Sequence, residues 1–229
     1  MRPVQTPKGA PRHVCDEART ELREFLKTIW PSQGYYCVVQ PQSKDGRSWW
    51  HHASYPTQEE AVEKLLALGQ FTDTYFAVLS LREPFIRDPA KLEKAKAAGR
   101  TINDFTDRSY RVNSNMAWAR SFFVDLDVGK EDGYATQAVA FEALKTFCKD
   151  VGLPKPFVVC SGVGLHVYWT FAEDVPASDW RIVATKLKEL ARPRGFKVGA
   201  ERTADVASVL RVPGSYHFKD PANPKRGWI

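Results

Sequence analysis

Asp125 and Asp127 flank Leu126 at the end of the run Ser121-Phe122-Phe123-Val124-Asp125-Leu126-Asp127-Val128. The run is aromatic and β-branched, so it reads as a strand. Side chains alternate faces along a strand, which puts both carboxylates on one side and Leu126 on the other. Two like charges on one face of a buried strand repel unless a cation sits between them, and hard divalent cations take oxygen ligands. The plainer reading is an exposed strand end that carries two acids.

A second cluster lies in Cys160-Ser161-Gly162-Val163-Gly164-Leu165-His166-Val167-Tyr168-Trp169. Its glycines permit a tight turn whose backbone N–H groups can face an anion. Ser161 offers a hydroxyl and His166 a ring nitrogen on the return strand. Beside two metal-binding carboxylates this is the layout of a metal-bound triphosphate pocket; alone, it is a Gly-rich hairpin with an internally bonded histidine. A third stretch runs from Arg202 through Asp205 to Arg211-Val212-Pro213-Gly214-Ser215 and Lys219. Asp205 is a candidate third metal ligand. Arg211 and Lys219 suit negative charge, arginine being able to grip phosphate bidentately. The competing reading is a short capped helix followed by a Pro-Gly turn.

These groups must be positioned by a larger framework. The expected first half is a helix with Asp16 as its N-cap and Ala18, Leu22, Phe25, Leu26 and Ile29 at helical spacing, closed by Pro31, then strands Tyr35 to Gln40 and Arg47 to Ala53 joined at Asp45-Gly46. Thr57 and Glu60 form a capping-box pattern for a helix ending at Gly69. Thr74 to Leu81 reads as one strand, and Asp88-Pro89 starts a charged helix ending near Gly99. The Trp49-Trp50-His51-His52 run could stack bases, although aromatic residues in strands are more often core. In the second half the order is strand Ser121 to Val128, helix Thr136 to Asp150, strands Pro156 to Ser161 and Leu165 to Phe171, a helix capped by Ser178 and running to Ala191, and a short strand Phe196 to Gly199. That succession, βαββαβ, is ferredoxin-like or RRM-like. It makes the Asp125 strand central, beside the His166 strand and the segment leading to Asp205. The expected fold class is α+β: an RRM-like core over residues 111–229, an N-terminal α/β subdomain over 13–110, and a disordered basic tail over 1–12, the two folded parts forming one domain.

With 229 residues, 43% hydrophobic and 26% charged, the chain has the composition of an ordinary soluble protein. No stretch has the length of a membrane helix. Cys15, Cys37, Cys148 and Cys160 show no paired short spacing, so no zinc site is expected, and a reduced cytoplasmic setting is the default. The net charge of +6 is uneven: residues 181–229 hold 11 Lys and Arg against 4 Asp and Glu. A cationic last fifth suits a polyanion, with Arg192, Arg194, Lys225 and Arg226 as candidate DNA phosphate contacts. A solvated basic helix is the alternative.

Taken in order, these motifs resemble the catalytic core of the archaeo-eukaryotic primase superfamily, and within it the primase-polymerases of phages and plasmids. That family carries two acids one residue apart on a strand, here Asp125 and Asp127. It carries a serine-to-histidine hairpin, here Ser161 to His166, and a later single acid, here matched by Asp205. A segment like Arg211-Val212-Pro213-Gly214-Ser215 and then Lys219 follows. The likeness covers residues 121–219 well and the first half loosely. His217 departs from it, the family often having asparagine there. The resemblance implies a template-directed nucleotidyltransferase, a DNA primase and polymerase. Mg2+ or Mn2+ would be held by Asp125, Asp127 and Asp205, and the nucleoside triphosphate by Ser161, His166, Arg211 and Lys219. Its partners would be a single-stranded DNA template and, C-terminal to this segment, a helicase or helical accessory domain, in the cytoplasm of a phage or plasmid host. A metal-dependent nuclease would share the acids without needing the triphosphate hairpin. A catalytically idle replication initiator that binds single-stranded DNA would share the charge and the fold.

Overall fold

The structure, a computed structural model, describes residues 16–199, 202–218, 220 and 222–229. The tail expected over residues 1–12 lies outside them. Helix α1, Asp16–Ile29, buries Leu22, Phe25, Leu26 and Ile29. Strands β1, Tyr36–Lys44, and β2, Arg47–Tyr55, form the expected hairpin. Asp45 and Gly46 take φ of 50° and 75°, the left-handed pair that a two-residue hairpin turn demands. Helix α2, Gln58–Gly69, is capped by Thr57, whose hydroxyl accepts the Glu60 N–H. Strands β3, Tyr75–Ala77, β4, Ser80–Leu81, and β5, Ile86–Arg87, follow. Helix α3, Pro89–Ala97, is capped by Asp88. Then come β6, Arg108–Ser109, and the long β7, Met116–Leu126. Helix α4, Gln137–Val151, is capped by Thr136 and ends on left-handed Gly152. After it run β8, Phe157–Cys160, and β9, Leu165–Pro176. Helix α5, Ala177–Ala191, leads into a single 3-10 turn, Arg192–Arg194. Strands β10, Val209–Arg211, β11, Tyr216–His217, and β12, Lys225–Arg226, complete the chain.

The architecture is mixed α+β with antiparallel sheets. One four-stranded sheet has the order β10-β3-β1-β2, the other β4-β7-β9-β8. Each sheet borrows a strand across the boundary expected between residues 110 and 111: β4 joins the second sheet and β10 the first. The larger apolar core lies between the sheets and includes α1, Trp30, Phe76, Phe123, Tyr168 and Trp180. A second core, with Val124, Leu126, Leu144, Phe147 and Val167, sits under α4 on the other face of β7 and β9. Alternation along β7 therefore sends Phe123 and Asp125 toward the first sheet and Val124 and Leu126 toward α4.

Three expectations need correction. The single strand expected over Thr74 to Leu81 is two strands in different sheets. Its central Val78 and Leu79 are wholly buried as the chain crosses between them. An apolar run buried on every side carries no mark of where its partner changes. Ser178 does not cap α5: Pro176 holds that position without a side-chain bond, and the Ser178 hydroxyl donates to Asp179. Finally, Phe196 to Gly199 is not a strand. Left-handed Gly195 turns the chain after the 3-10 turn, Phe196 stacks on Phe147 at 4.3 Å, and the Lys197 N–H donates to the Tyr134 hydroxyl. Only the Gly199 N–H reaches β7, at the Asp125 carbonyl, 2.8 Å. The place beside β7 expected for this strand is taken by β4.

Trp30 is wholly buried, and its indole N–H donates to the Ala77 carbonyl at 2.8 Å. It ties the end of α1 to the first sheet. Trp30→Ala should lower unfolding free energy by about 3–5 kcal/mol, against about 1 kcal/mol for the cap variant Thr136→Ala. Urea titrations compare the two; equal midpoints for Trp30→Ala and wild type would remove Trp30 from the core that joins the elements.

Candidate active site

The end of β7 opens into two adjoining clefts, of about 440 Å³ and 390 Å³, and Asp125 and Asp127 line both. Asp125 is 5% exposed and stands opposite His166 of β9. Its carboxylate accepts from the Arg202 guanidinium at 2.9 Å, and the His166 Nε2 is 3.8 Å away. Asp127 pairs with Lys130 at 2.6 Å. The loop after β7 folds back on itself: the Tyr134 N–H donates to the Asp127 carbonyl and the Gly129 N–H to the Tyr134 carbonyl. Lys197 spans the same loop, its Nζ donating to the Gly133 carbonyl at 2.9 Å. Among the described residues no group of three or more His, Cys, Asp and Glu is placed to hold a metal ion. The two acids share both clefts and each carries one cation, Arg202 on Asp125 and Lys130 on Asp127, which is positive charge that a divalent ion would also supply.

The Gly-rich turn closes the other wall. Ser161 donates its hydroxyl to the Gly164 carbonyl at 3.1 Å. Gly162 has φ of +95°, and a Cβ on Gly164 would stand 2.6 Å from the Leu126 carbonyl oxygen. Only glycine lets this turn lie so close to the end of β7. His166 behind it is 4% exposed. Burial chiefly holds its imidazole down to about 4; Arg211 and Arg202 act in the same direction, and Asp125 and Asp127 oppose them. It is therefore neutral near pH 7. Its Nδ1 is buried without a hydrogen-bond partner, and the residue lines the cleft. A buried polar atom left unpaired costs about 1–3 kcal/mol, so this nitrogen suits a ligand that pairs with it. The Tyr168 hydroxyl, two residues on, is likewise buried and unpartnered; burial, then Asp125, raises its pKa.

Arg211 enters the cleft from the first sheet, so the site lies on the seam between the two. Its guanidinium pairs with Asp73, donates to the Tyr75 hydroxyl at 2.8 Å and lies over the Tyr75 ring. Asp73 also accepts the Phe218 N–H.

Asp125, Asp127, Ser161, His166 and Arg211 are thus brought together, as the sequence suggested. Asp205 is not. It is exposed, and its carboxylate accepts from the Ala207 N–H and the Ser208 hydroxyl, capping a turn on the Arg111 side. Asparagine-like turn capping competes with ligand duty for the same lone pairs. Lys219 lies outside the described residues. Lys225 and Arg226, on β12, stand near the Gly162 turn, where the Lys225 carbonyl oxygen is 3.0 Å from a Cβ built on Gly162. Arg192 and Arg194 line neither cleft; Arg194 donates to the Leu190 carbonyl. Sequence reasoning missed Arg202, Lys130, Lys197, Asp73 and Tyr75. Lys130 had one signal, its spacing of three from Asp127. Arg202 reaches Asp125, Lys197 the Gly133 carbonyl, and Asp73 and Tyr75 the Arg211 guanidinium only through the tertiary path.

No protein-family model and no curated protein sequence matches the chain. Among solved structures, the AEP domain of the cyanophage S-2L primase-polymerase is similar over 96% of this chain and 91% of that one, with 16% identity and a TM-score of 0.53. The polymerase domain of Mycobacterium tuberculosis ligase D, in complex with DNA, is similar over 92% and 84%, with 14% identity and a TM-score of 0.46. The chain shares the fold of that phage AEP domain.

Proposed function

We propose that the chain is a template-directed nucleotidyltransferase, a DNA primase-polymerase of the phage and plasmid kind. The observation that carries the reading is the single cleft shared by Asp125, Asp127, the glycine turn and the neutral, unpartnered His166. The β4-β7-β9-β8 sheet with α4 and α5 is its palm, RRM-like in the succession from β7 to α5. Residues 13–110 and 111–229 act as one unit, since β4 and β10 cross between them.

Asp125 and Asp127 would hold Mg2+ or Mn2+. When bound, the ions of a two-metal site supply Lewis acidity at the attacking 3′-oxygen and neutralise charge at the leaving pyrophosphate. The protein's own part is positioning and electrostatics, because phosphoryl transfer asks for little covalent help. His166 donates from its neutral ring to a phosphate oxygen of the incoming triphosphate. Ser161 holds the turn in shape with its hydroxyl on Gly164 and presents the backbone around Gly162 to the same phosphates. Arg202 and Lys130 sit on the carboxylates from the solvent side, with side chains 52% and 61% exposed. They can move onto phosphate without breaking the core. Arg211, buried against Asp73, is the fixed cation of the wall. Lys219 completes the phosphate contacts of this reading, and Lys225 and Arg226 stand at the rim, where template or nucleotide phosphates pass. Asp205, committed to its turn, has no part in the ligand set.

Asp125→Asn and Asp127→Asn should each cut incorporation of labelled nucleotides on a single-stranded template by more than the 10–100-fold typical of losing a metal's outer-shell partner. Their melting temperatures should stay near wild type, since each variant gives up one exposed-cation pair together with the like-charge repulsion. Near-normal polymer growth in either folded variant defeats the assignment of the acids, and loss of template instead of growth turns the reading into a nuclease.

His166→Ala should raise KM for the nucleotide roughly tenfold to a hundredfold, the equivalent of about 1.5–3 kcal/mol for one hydrogen bond to a charged group. Affinity for the template should hardly move. Steady-state kinetics with nucleotide and template varied in turn make the comparison; a change confined to the template would remove His166 from the triphosphate.

A further inference from the structure

The edge of the first sheet presents a surface that the acid cleft does not use. β2 is the outermost strand of the order β10-β3-β1-β2, and its middle residues are exposed, with Trp49 at 47% and Trp50 at 50%. Two indoles are rarely left half in water on an edge strand without an occupant, because each exposes a large apolar face. A cleft of about 630 Å³ runs along them, closed on the far side by Phe105 and Arg108. Phe105 is also exposed, and the Arg108 guanidinium lies 4.4 Å from its ring centroid. A neighbouring cleft continues past Trp49 to the hairpin tip.

The charge of this strip is one-sided. Six cations line the two clefts against one acid, Asp45. Among the described residues Lys44, Arg47 and Arg100 have neither an ion pair nor a side-chain hydrogen bond, so their charge is available. The strip is also continuous with the acid cleft. Trp50 packs edge-on against Tyr75 at 5.5 Å, and Tyr75 receives the Arg211 guanidinium and lines the cleft that holds Asp125 and His166.

We infer that single-stranded DNA binds along β2, its bases stacked on Trp49 and Trp50 and its phosphates on Lys44, Arg47 and Arg100, and enters the acid cleft past Tyr75. A flexible polyanion with flat π faces is the one ligand class that uses both exposed indoles and unpaired cations at once, in a manner tolerant of sequence. A duplex, its bases stacked inward, offers the phosphates only. The inference deepens the polymerase reading by naming the path of its template, and it moves that path away from Arg192 and Arg194.

The test measures binding of a fluorescein-labelled oligothymidine by anisotropy, without metal or nucleotide, at several salt concentrations, together with quenching of tryptophan emission. Trp49→Ala/Trp50→Ala should bind about tenfold more weakly or worse and lose most of the quenching, with its far-ultraviolet circular dichroism unchanged. Lys44→Glu/Arg47→Glu/Arg100→Glu keeps both indoles and alters only exposed side chains, so it decides the matter if the first variant does not fold. It should flatten the slope of log affinity against log salt by about 2, at roughly 0.7 per phosphate. Arg192→Glu/Arg194→Glu should bind as wild type does. The inference is overturned if wild type does not bind the oligonucleotide, if both strip variants bind normally, or if the loss appears only in Arg192→Glu/Arg194→Glu. A change in sedimentation of the tryptophan variant with DNA affinity intact also overturns it, by making the edge a contact between copies of this chain. Because binding is read without nucleotide, wild type that binds through β2 here but adds no nucleotide in the separate incorporation assay sinks the polymerase reading and leaves this one standing.

Discussion

Two carboxylates held at the end of a buried strand are the constraint on which the rest of the site depends. Residues two apart on a strand stand about 7 Å apart, and at that distance and an effective dielectric of 20 two like charges repel by about 2 kcal/mol, so the fold brings cations to them. It does so from two later stretches of the chain: Lys130 from the loop just after β7 and Arg202 from the segment after α5. The same segment is pinned by the Gly199 N–H on the Asp125 carbonyl and by Lys197 on Gly133. The stretch from Phe196 to Gly199 therefore serves to place Arg202 at the acids rather than to lengthen the second sheet. This accounts physically for the missing strand over Phe196 to Gly199.

The second requirement is that the cleft stay on a seam without the seam opening. Each sheet supplies one edge strand to the other, β4 in one direction and β10 in the other. Val78 and Leu79 carry the crossing through the core, and Trp30, Phe123, Tyr168 and Trp180 pack around it. Arg211 sits on β10, so the borrowed strand delivers a cation to the cleft as well as closing the frame. Its partner Asp73 lies just before β3, and Asp73 also holds the backbone of Phe218. One buried ion pair thus fixes the first sheet and the C-terminal strands around the same wall. Breaking one side of such a pair leaves a buried charge behind, which commonly costs 3–5 kcal/mol.

Much of this was legible in the sequence where the signal is local. The period-2 pattern of Ser121 to Val128 placed both acids on one face, and the structure puts Asp125 opposite His166 in the next strand but one. Asp45-Gly46, Thr57 and Asp88 announced a turn and two caps through their own chemistry. The failures share a cause. Asp205 looked like a ligand because a carboxylate among small polar residues reads the same whether it faces a metal or caps a turn. Arg202, three residues earlier, passed unremarked, although its side chain is the one that reaches Asp125. Which of two neighbours points into a cleft is decided by loop direction, and loop direction depends on contacts such as Gly199 on Asp125 that no periodicity encodes. The split of Thr74 to Leu81 was hidden for a related reason, since a segment buried on all sides looks the same in either sheet.

The charge bookkeeping of the cleft explains why a neutral histidine belongs in it. The two carboxylates are matched by Arg202 and Lys130, and Arg211 by Asp73, so the walls are balanced before any ligand arrives. A protonated His166 would add an unmatched buried cation, and desolvation with Arg211 and Arg202 nearby resists that, holding the ring down to about 4. The ring can then donate one hydrogen bond without attracting anions indiscriminately. Charge attraction is left to Arg202 and Lys130, whose exposed side chains can change partner. The fixed groups, His166 and Arg211, set geometry, and the mobile ones supply the charge that a polyanion with its own cations would displace. A site built this way stays stable when empty, which a cleft lined with unpaired acids would not.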